Sequence, residues 1–406
     1  MPAGQLGDPP THLPTREGGK TPPRDQNLGS ILGVFLAAFL VVNAVLGAWF
    51  LFRNSGRMDD PMVPRAGFGS NDVRAPLIPD YDPISWEERP AASAIVGPGY
   101  SLEWRWELGR CFTLWGGELR LWVRNSGSSE LFIYGFSMEG EWGAPICASV
   151  GVTVPKGSET ALGILHFQGP EQHGSYNFTV KMAVMAQSKL GPVRGWFDYG
   201  WVGSAPRTLT FLPGGIDPGI PIRKNPACYF DKLNRLMDPS DSEVCSKAAG
   251  ILSLHPGPFN IYHAAEAFDF VRDEIEYLNE SGGEDYWAPP AETLRTGRGD
   301  CEDQALLLSA LVTAMNGTTR FHIIKNHAFC SIYVGRDLSS VELALERYYN
   351  TDLKLAYFQD PLGFWLAADT TSSLHLGALP LGGEPVPGGW ALTGTTYHFT
   401  VDMLPR

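Results

Sequence analysis

Residues 296–311 read TGRGDCEDQALLLSAL, a glycine-spaced turn that runs directly into an apolar segment. A single cysteine, Cys301, stands at the junction, with Asp300 and Glu302 on either side. Continued as a helix, Cys301, Ala305, Leu308 and Val312 share one face, while Leu306, Leu307, Leu311 and Ala314 cover much of the rest. A helix apolar around its circumference belongs inside a domain. Gly297 and Gly299 permit the tight backbone path that leads into it. Cys301 is therefore expected at the N-terminus of a buried helix, where the macrodipole and the open N–H groups favour a thiolate. The same N–H groups suit an oxyanion on a carbonyl carbon under attack. Asp300 and Glu302 act in the opposite sense, because nearby negative charge raises a thiol pKa.

A thiolate nucleophile needs a base, and the base needs a group to orient it. Twenty-six residues on (327 − 301), NHAFCSIYVG at 326–335 reads as a strand after a polar turn. Alternation puts His327, Phe329, Ser331 and Tyr333 on one face and turns Cys330 to the other, towards packing. A second apolar strand at 364–368 ends at Asp369 and Thr370, so neighbouring strands can set an imidazole beside a carboxylate. Asp360 is the rival orienting group, and His263, His322 and His375 read as surface or core histidines. Upstream, NIYHAAEAFDFVRDEIEYLNESGG at 260–283 carries Ala264, Phe268, Val271, Ile275 and Leu278 at helical spacing, with Gly282 and Gly283 as the stop. An aromatic loop, DYWAPP at 285–290, joins the two regions. Asp300, Glu302 and Asp303 also serve as first-turn acids that favour a helix start.

These segments together, from the amphipathic helix through YWAPPAETLRTGRGDCEDQALLLSALV at 286–312, HAF at 327–329 and Asp369-Thr370, resemble the transglutaminase-like superfamily. The resemblance covers the last third to two-fifths of the chain and implies an α+β, papain-like core. It implies Cys301 as nucleophile, His327 as general base and acid, and Asp369 as the residue that orients His327. Tyr286 and Trp287 then fall near the substrate cleft. The GDCED wording is similar to bacterial transglutaminase-like cysteine proteinases, in which acids flanking the nucleophile bind calcium; that implies Ca²⁺ at Asp300 and Glu302 and no other cofactor. Ala328 and Phe329 depart from relatives that carry a tryptophan near the histidine.

The remainder of the 406-residue chain has other tasks. A formal net charge of -13 speaks against a nucleic-acid partner, since phosphate binding needs clustered Lys and Arg. Hydrophobic residues at 44% and charged residues at 18% exclude wholesale disorder. Residues 1–28 read as a disordered tail, and 29–53 as one transmembrane helix, because 31–52 carry no charge and are long enough for a bilayer core. Residues 54–93 form a Pro-rich linker. In 94–215, short alternating segments broken by turn residues predict an all-β, immunoglobulin-like sandwich, and 216–406 make up the transglutaminase-like domain. Sequons at Asn177, Asn279 and Asn316, with cysteine pairs 228/245 and 111/147 suited to disulfides, favour extracytoplasmic C-terminal domains.

The expected protein is thus a membrane-anchored thiol enzyme acting on amide bonds of peptides or proteins. Hydrolysis is preferred to transamidation, because water is always present and no amine-binding acids can be picked out. Its rival is a non-catalytic surface interaction protein whose transglutaminase-like domain is degenerate.

Overall fold

Strands are the first regular elements of the described chain. In this computed structural model, residues 61–190, 193–279 and 286–404 are described. The tail at 1–28 and the expected span at 29–53 lie outside them. Among the described residues no helix is long and apolar enough to cross a membrane.

The first eight strands are β1 (Leu102–Leu108), β2 (Gly117–Asn125), β3 (Leu131–Gly140), β4 (Ile146–Val154), β5 (Glu159–Phe167), β6 (Gly174–Leu190), β7 (Val193–Gly203) and β8 (Arg207–Phe211). They make a three-stranded sheet ordered β1-β2-β5 and a five-stranded one ordered β4-β3-β6-β7, with β8 on β6, all antiparallel. Leu119, Leu121 and Val123 of the first sheet pack into one core with Ile133, Val180, Met182 and Val184 of the second. The alternation seen in the sequence therefore has its physical counterpart: one face of each sheet meets the other.

A mixed region follows. Its elements are β9 (Ile222–Lys224), α1 (Ala227–Leu236), α2 (Ser242–Leu252), α3 (Ile261–Glu274), β10 (Glu276–Tyr277), α4 (Pro290–Thr296), β11 (Arg298–Gly299) and α5 (Cys301–Ala314). Then come β12 (Thr319–Ile324), β13 (His327–Gly335), α6 (Leu338–Tyr349), β14 (Tyr357–Asp360), β15 (Gly363–Ala368), β16 (Gly383–Val386), β17 (Gly389–Leu392) and β18 (His398–Asp402). Six strands form one sheet in the order β14-β15-β13-β12-β18-β9. Helix α5 packs against β12 and β13, with α2, α3 and α4 around it. Leu306, Leu307, Leu308, Leu311 and Val312 of α5 are fully buried, as an all-round apolar helix requires.

The amphipathic helix is shorter than its sequence pattern. A capping box of Asn260 and His263 starts α3, but it stops at Glu274. Residues 276–277 leave it to pair with 298–299, and the Leu278 N–H donates to the Gly299 carbonyl. Leu278, expected on the buried stripe, is half exposed as a result.

The Pro-rich segment has little regular structure, yet it does not run free of the body. Leu77 pairs with residues 259–261, and the Arg74 N–H donates to Thr318. Phe68 stacks on Trp365, and Ala92 and Ser93 meet Trp196. All six cysteines are free thiols, contrary to the disulfides expected at 111/147 and 228/245. Cys111 is buried beside Gly117 and Phe167, while Cys147 is exposed on β4; Cys228 and Cys245 lie exposed on separate helices.

Candidate active site

Three local devices deliver Cys301. Gly297 ends α4 in the left-handed region at φ +64, a conformation that favours glycine. A Cβ on Gly299 would come within 2.7 Å of the Asp303 side chain, so that residue is restricted by space. Asp300 then caps α5, its carboxylate accepting from the Asp303 N–H. The two glycines in the quoted turn therefore have different physical jobs.

The register of the large sheet delivers the other two groups. Cys330 stands opposite Ala368 in the antiparallel β13/β15 pair, so Asp369 emerges beside the start of β13. The His327 Nε2 lies 2.7 Å from Asp369 Oδ2, and both side chains are buried. The backbone N–H of Ala328, next to His327, lies close enough to the Cys301 sulfur to favour its thiolate. Cysteine, histidine and aspartate thus converge at one end of α5.

Their electrostatics are unequal. Burial works to raise the Asp369 pKa, but the His327 imidazole, the Leu381 N–H and the Ser372 hydroxyl outweigh it and hold the carboxyl at about 2. Thr371 adds two more donors, from its N–H and its hydroxyl. Cys301 goes the other way. Burial, followed by the hydrogen bond to Glu302 and the charge of that residue, pushes the thiol well above its ordinary value. Its S–H donates to Glu302 Oε2 at 3.0 Å, and the Ala328 N–H opposes this without prevailing. In the conflict posed by the sequence, burial and the flanking acid outweigh the donors at the helix start and shift the balance towards the thiol.

Asp300 and Glu302 are both buried, one as the helix cap and the other as the acceptor for the thiol. Among the described residues no group of three or more His, Cys, Asp or Glu side chains is arranged to hold a metal ion. Ca²⁺ takes about six to eight oxygen ligands, of which Asp300 and Glu302 could supply a part.

Trp287 is buried, stacked between Tyr229 and Phe321 with the Lys232 ammonium over its ring. Tyr286 is exposed and donates its hydroxyl to Glu292. Asp303, read as a helix-start acid, accepts from the Ala288 N–H at 2.7 Å and ties this aromatic loop to the first turn of α5. Asp360 is engaged elsewhere, with Arg320, Lys224 and the Trp365 indole. The other histidines have structural partners: His263 caps α3, His322 bridges His398 and Ser331, and His375 pairs with Glu118. Cys330 is fully buried against the Ala368 carbonyl.

Two site residues had gone unread. Gln304, one turn beyond Cys301, spans from the Ile275 carbonyl to the Thr370 hydroxyl and ties α5 to the segment holding Asp369. Its signal is a buried amide where the polar first turn of the helix gives way to the apolar run from Ala305. Tyr277, on β10 beside Gly299, lies in the field of the site: burial and the charges of Cys301, Asp300, Glu302 and Asp369 push its phenol up. Tyr277, Gln304 and Thr370 border a polar cleft of about 740 Å³, with Arg105, Glu107 and Glu159 of the strand-rich region on its other side. Cys301 and His327 do not line this cleft; it abuts the centre through Gln304 and Thr370.

A family comparison bears on the same part of the chain. Residues 251–330 match the model of the transglutaminase-like superfamily, a stretch that contains Cys301 and His327 and stops short of Asp369. The C-terminal region thus carries a transglutaminase-like domain, beside a sheet-rich N-terminal region, in a mixed α/β fold. Similar solved structures include a candidate cysteine protease from Cytophaga hutchinsonii, at 13% identity and a TM-score of 0.22, covering 67% of this chain and 78% of that one. Another is a candidate protease from Parabacteroides distasonis, at 10% identity and a TM-score of 0.25, covering 74% and 70%. No curated protein matches the chain.

Proposed function

We propose that the chain is a thiol enzyme that cleaves or transfers amide bonds of peptides or proteins through Cys301, His327 and Asp369. The observation that carries this reading is the 2.7 Å contact of the buried His327 Nε2 with Asp369, on the strand whose next residue, Ala328, neighbours the Cys301 sulfur. With Nε2 committed to the carboxylate, Nδ1 is left to take the thiol proton. The sulfur then bonds to the carbonyl carbon, and the carbonyl electron pair moves to oxygen, where N–H groups at the start of α5 stabilise it. Collapse breaks the C–N bond, and His327 protonates the departing amine. Water attacks the thioester next, His327 takes its proton, and the thiol is restored with release of the acid. A primary amine in place of water gives a transamidase.

Hydrolysis remains the preferred outcome, with the polar cleft beside Gln304 and Thr370 as the approach for an extended chain. The strand-rich region is read as an immunoglobulin-like sandwich, on the shared core of its two sheets. Residues 29–53 are read as an anchor that leaves the domains extracytoplasmic. Incubating the full chain with unfolded casein and a fluorescent primary amine separates the cases. New peptide ends indicate hydrolysis, label on casein indicates transfer, and neither outcome supports the non-catalytic rival. Calcium at Asp300 and Glu302 is kept as a proposal with its own test. Loss of turnover with chelator and recovery with Ca²⁺ alone would support it.

A further inference from the structure

The segment that carries Asp369 is held from outside its own domain. Between Asp369 and Leu381 the chain makes a loop whose two ends converge on one carboxylate, since Ser372 and the Leu381 N–H both donate to Asp369 Oδ2. Within the loop, the Ser373 hydroxyl donates to the Leu379 carbonyl, and the Leu376 N–H donates to the Tyr349 hydroxyl. Three residues of the strand-rich region reach it. Arg110, just after β1, donates to the Pro380 carbonyl at 2.5 Å, one residue before Leu381. Glu118 of β2 meets His375 Nε2 at 3.0 Å, both being buried. Glu107 of β1 pairs with Arg272, which in turn donates to the Ser373 carbonyl at 2.8 Å.

The middle contact is an ion pair by geometry. His375 Nδ1 faces the Leu376 carbonyl at 2.9 Å, while Nε2 faces the Glu118 carboxylate. The Leu376 carbonyl can only accept, so Nδ1 carries a proton. Burial raises the Glu118 carboxyl, but His375 outweighs it and favours the ionised acceptor, which suits a cationic imidazole. Burial opposes that charge, and Glu118 more than compensates, which raises the His375 pKa. A paired charge buried in this way admits few alternative arrangements of the loop.

We propose that the strand-rich region positions Asp369, and through it His327, by means of Arg110 and Glu118 clamped onto the 369–381 loop. Arg110 and Glu118 are positioning residues; neither touches the reacting atoms. The inference rests on the reading of Cys301, His327 and Asp369 as the catalytic set, and it gives the sheet-rich region a part in that reaction. Loosening the loop should let the Asp369 carboxylate drift from His327 Nε2. A misplacement of about 1 Å can cost on the order of 100-fold in rate.

The test uses the full chain with ¹⁵N-labelled histidine, and reads both turnover and the low-field proton shared by His327 and Asp369. In Glu118→Gln and Arg110→Ala the proton signal should move or broaden, and kcat should fall roughly tenfold with KM little changed. Arg110→Lys, which keeps a donor on that side, should recover much of both. If Glu118→Gln fails to fold, Arg110→Ala decides the matter. An unmoved His327 signal in the folded variants overturns the inference. Should the wild-type chain turn over nothing, the reading of the site fails, while the proton signal still decides this one.

Discussion

The strand-rich region and the C-terminal core use charged residues in opposite ways. In the core, charge sits where charge is expensive: Asp300, Glu302, Asp303 and Asp369 are all buried around one end of α5. In the strand-rich region most charged side chains lie on the wet faces of strands, as with Arg105 and Glu159, which pair while half exposed. Such a surface pair contributes at most about 1 kcal/mol, whereas a buried carboxylate needs a specific reason to be there. Glu118 and Arg120, both buried, and the half-buried Arg110 depart from this in the first region; Arg110 and Glu118 reach the Asp369 loop of the second, while Arg120 pairs with Asp273 of α3. What this contrast teaches is that a buried charge is identified by its partner: Arg320 with Asp402 and Arg120 with Asp273 are closed structural pairs, whereas the charges around α5 and the Asp369 loop meet the candidate site.

The sharpest way to break the contrast is within the core. Cys301→Ala should lower turnover by roughly a thousandfold or more, as removal of a nucleophile does. Cys330→Ala, which empties a fully buried packing position, should leave turnover largely intact and cost about 1 kcal/mol of stability. Steady-state kinetics together with urea unfolding checks both. Equal loss of activity in the two variants would erase the distinction between a reacting and a packing thiol.

Asp369→Asn comes next, with a fall in kcat of roughly 100-fold or more, since the amide leaves His327 without its orienting charge. Asp360→Asn, engaged with Arg320 and away from His327, should not reproduce that fall. The same carboxylate makes an acid-stability prediction. Its folded pKa of about 2 lies below its ordinary value of 3.8, so its contribution is present above about pH 4 and is lost as pH falls through 2. The size is on the order of 2 kcal/mol, and acid unfolding of Asp369→Asn should lack it.

A smaller effect sharpens the account of the thiol. Glu302→Gln removes the negative charge that receives the Cys301 proton, so the thiol pKa should drop and alkylation at neutral pH should quicken by about tenfold. Rates of iodoacetamide uptake at Cys301, followed across pH by peptide mapping, give the shift directly. A slower rate in this variant would mean that Glu302 activates the sulfur instead of restraining it.

Much of the core site could be read from residue order, because its residue types are unusual for their places. A cysteine after G-x-G at the start of an all-apolar helix, a histidine opening a strand and an aspartate closing one each ask for an explanation beyond packing. Other features left no such mark. The two-residue pairing of Glu276–Tyr277 with Arg298–Gly299 is too short to show as alternation, so the helical spacing carries on through Leu278 although the helix ends at Glu274. Asp303 looked like any first-turn acid, though its carboxylate tethers the Ala288 loop. Trp287 looked like a cleft aromatic and is placed in the core stack. Arg110 and Glu118 are silent for a different reason: a charge in a turn or on a strand is ordinary, and only the fold shows both packed against the Asp369 loop. The balance between the helix dipole and Glu302 also needed coordinates, since it turns on where one carboxylate oxygen lies.

The central claim is that turnover belongs to the Cys301 sulfur. The most direct measurement is partial alkylation of the full chain, with the modified fraction at each of the six cysteines plotted against residual turnover of unfolded casein. The exposed Cys147, Cys228 and Cys245 should be modified without consequence, and residual turnover should fall in proportion to the Cys301 fraction alone. Turnover that survives complete modification of Cys301, or that tracks another cysteine, would contradict the account.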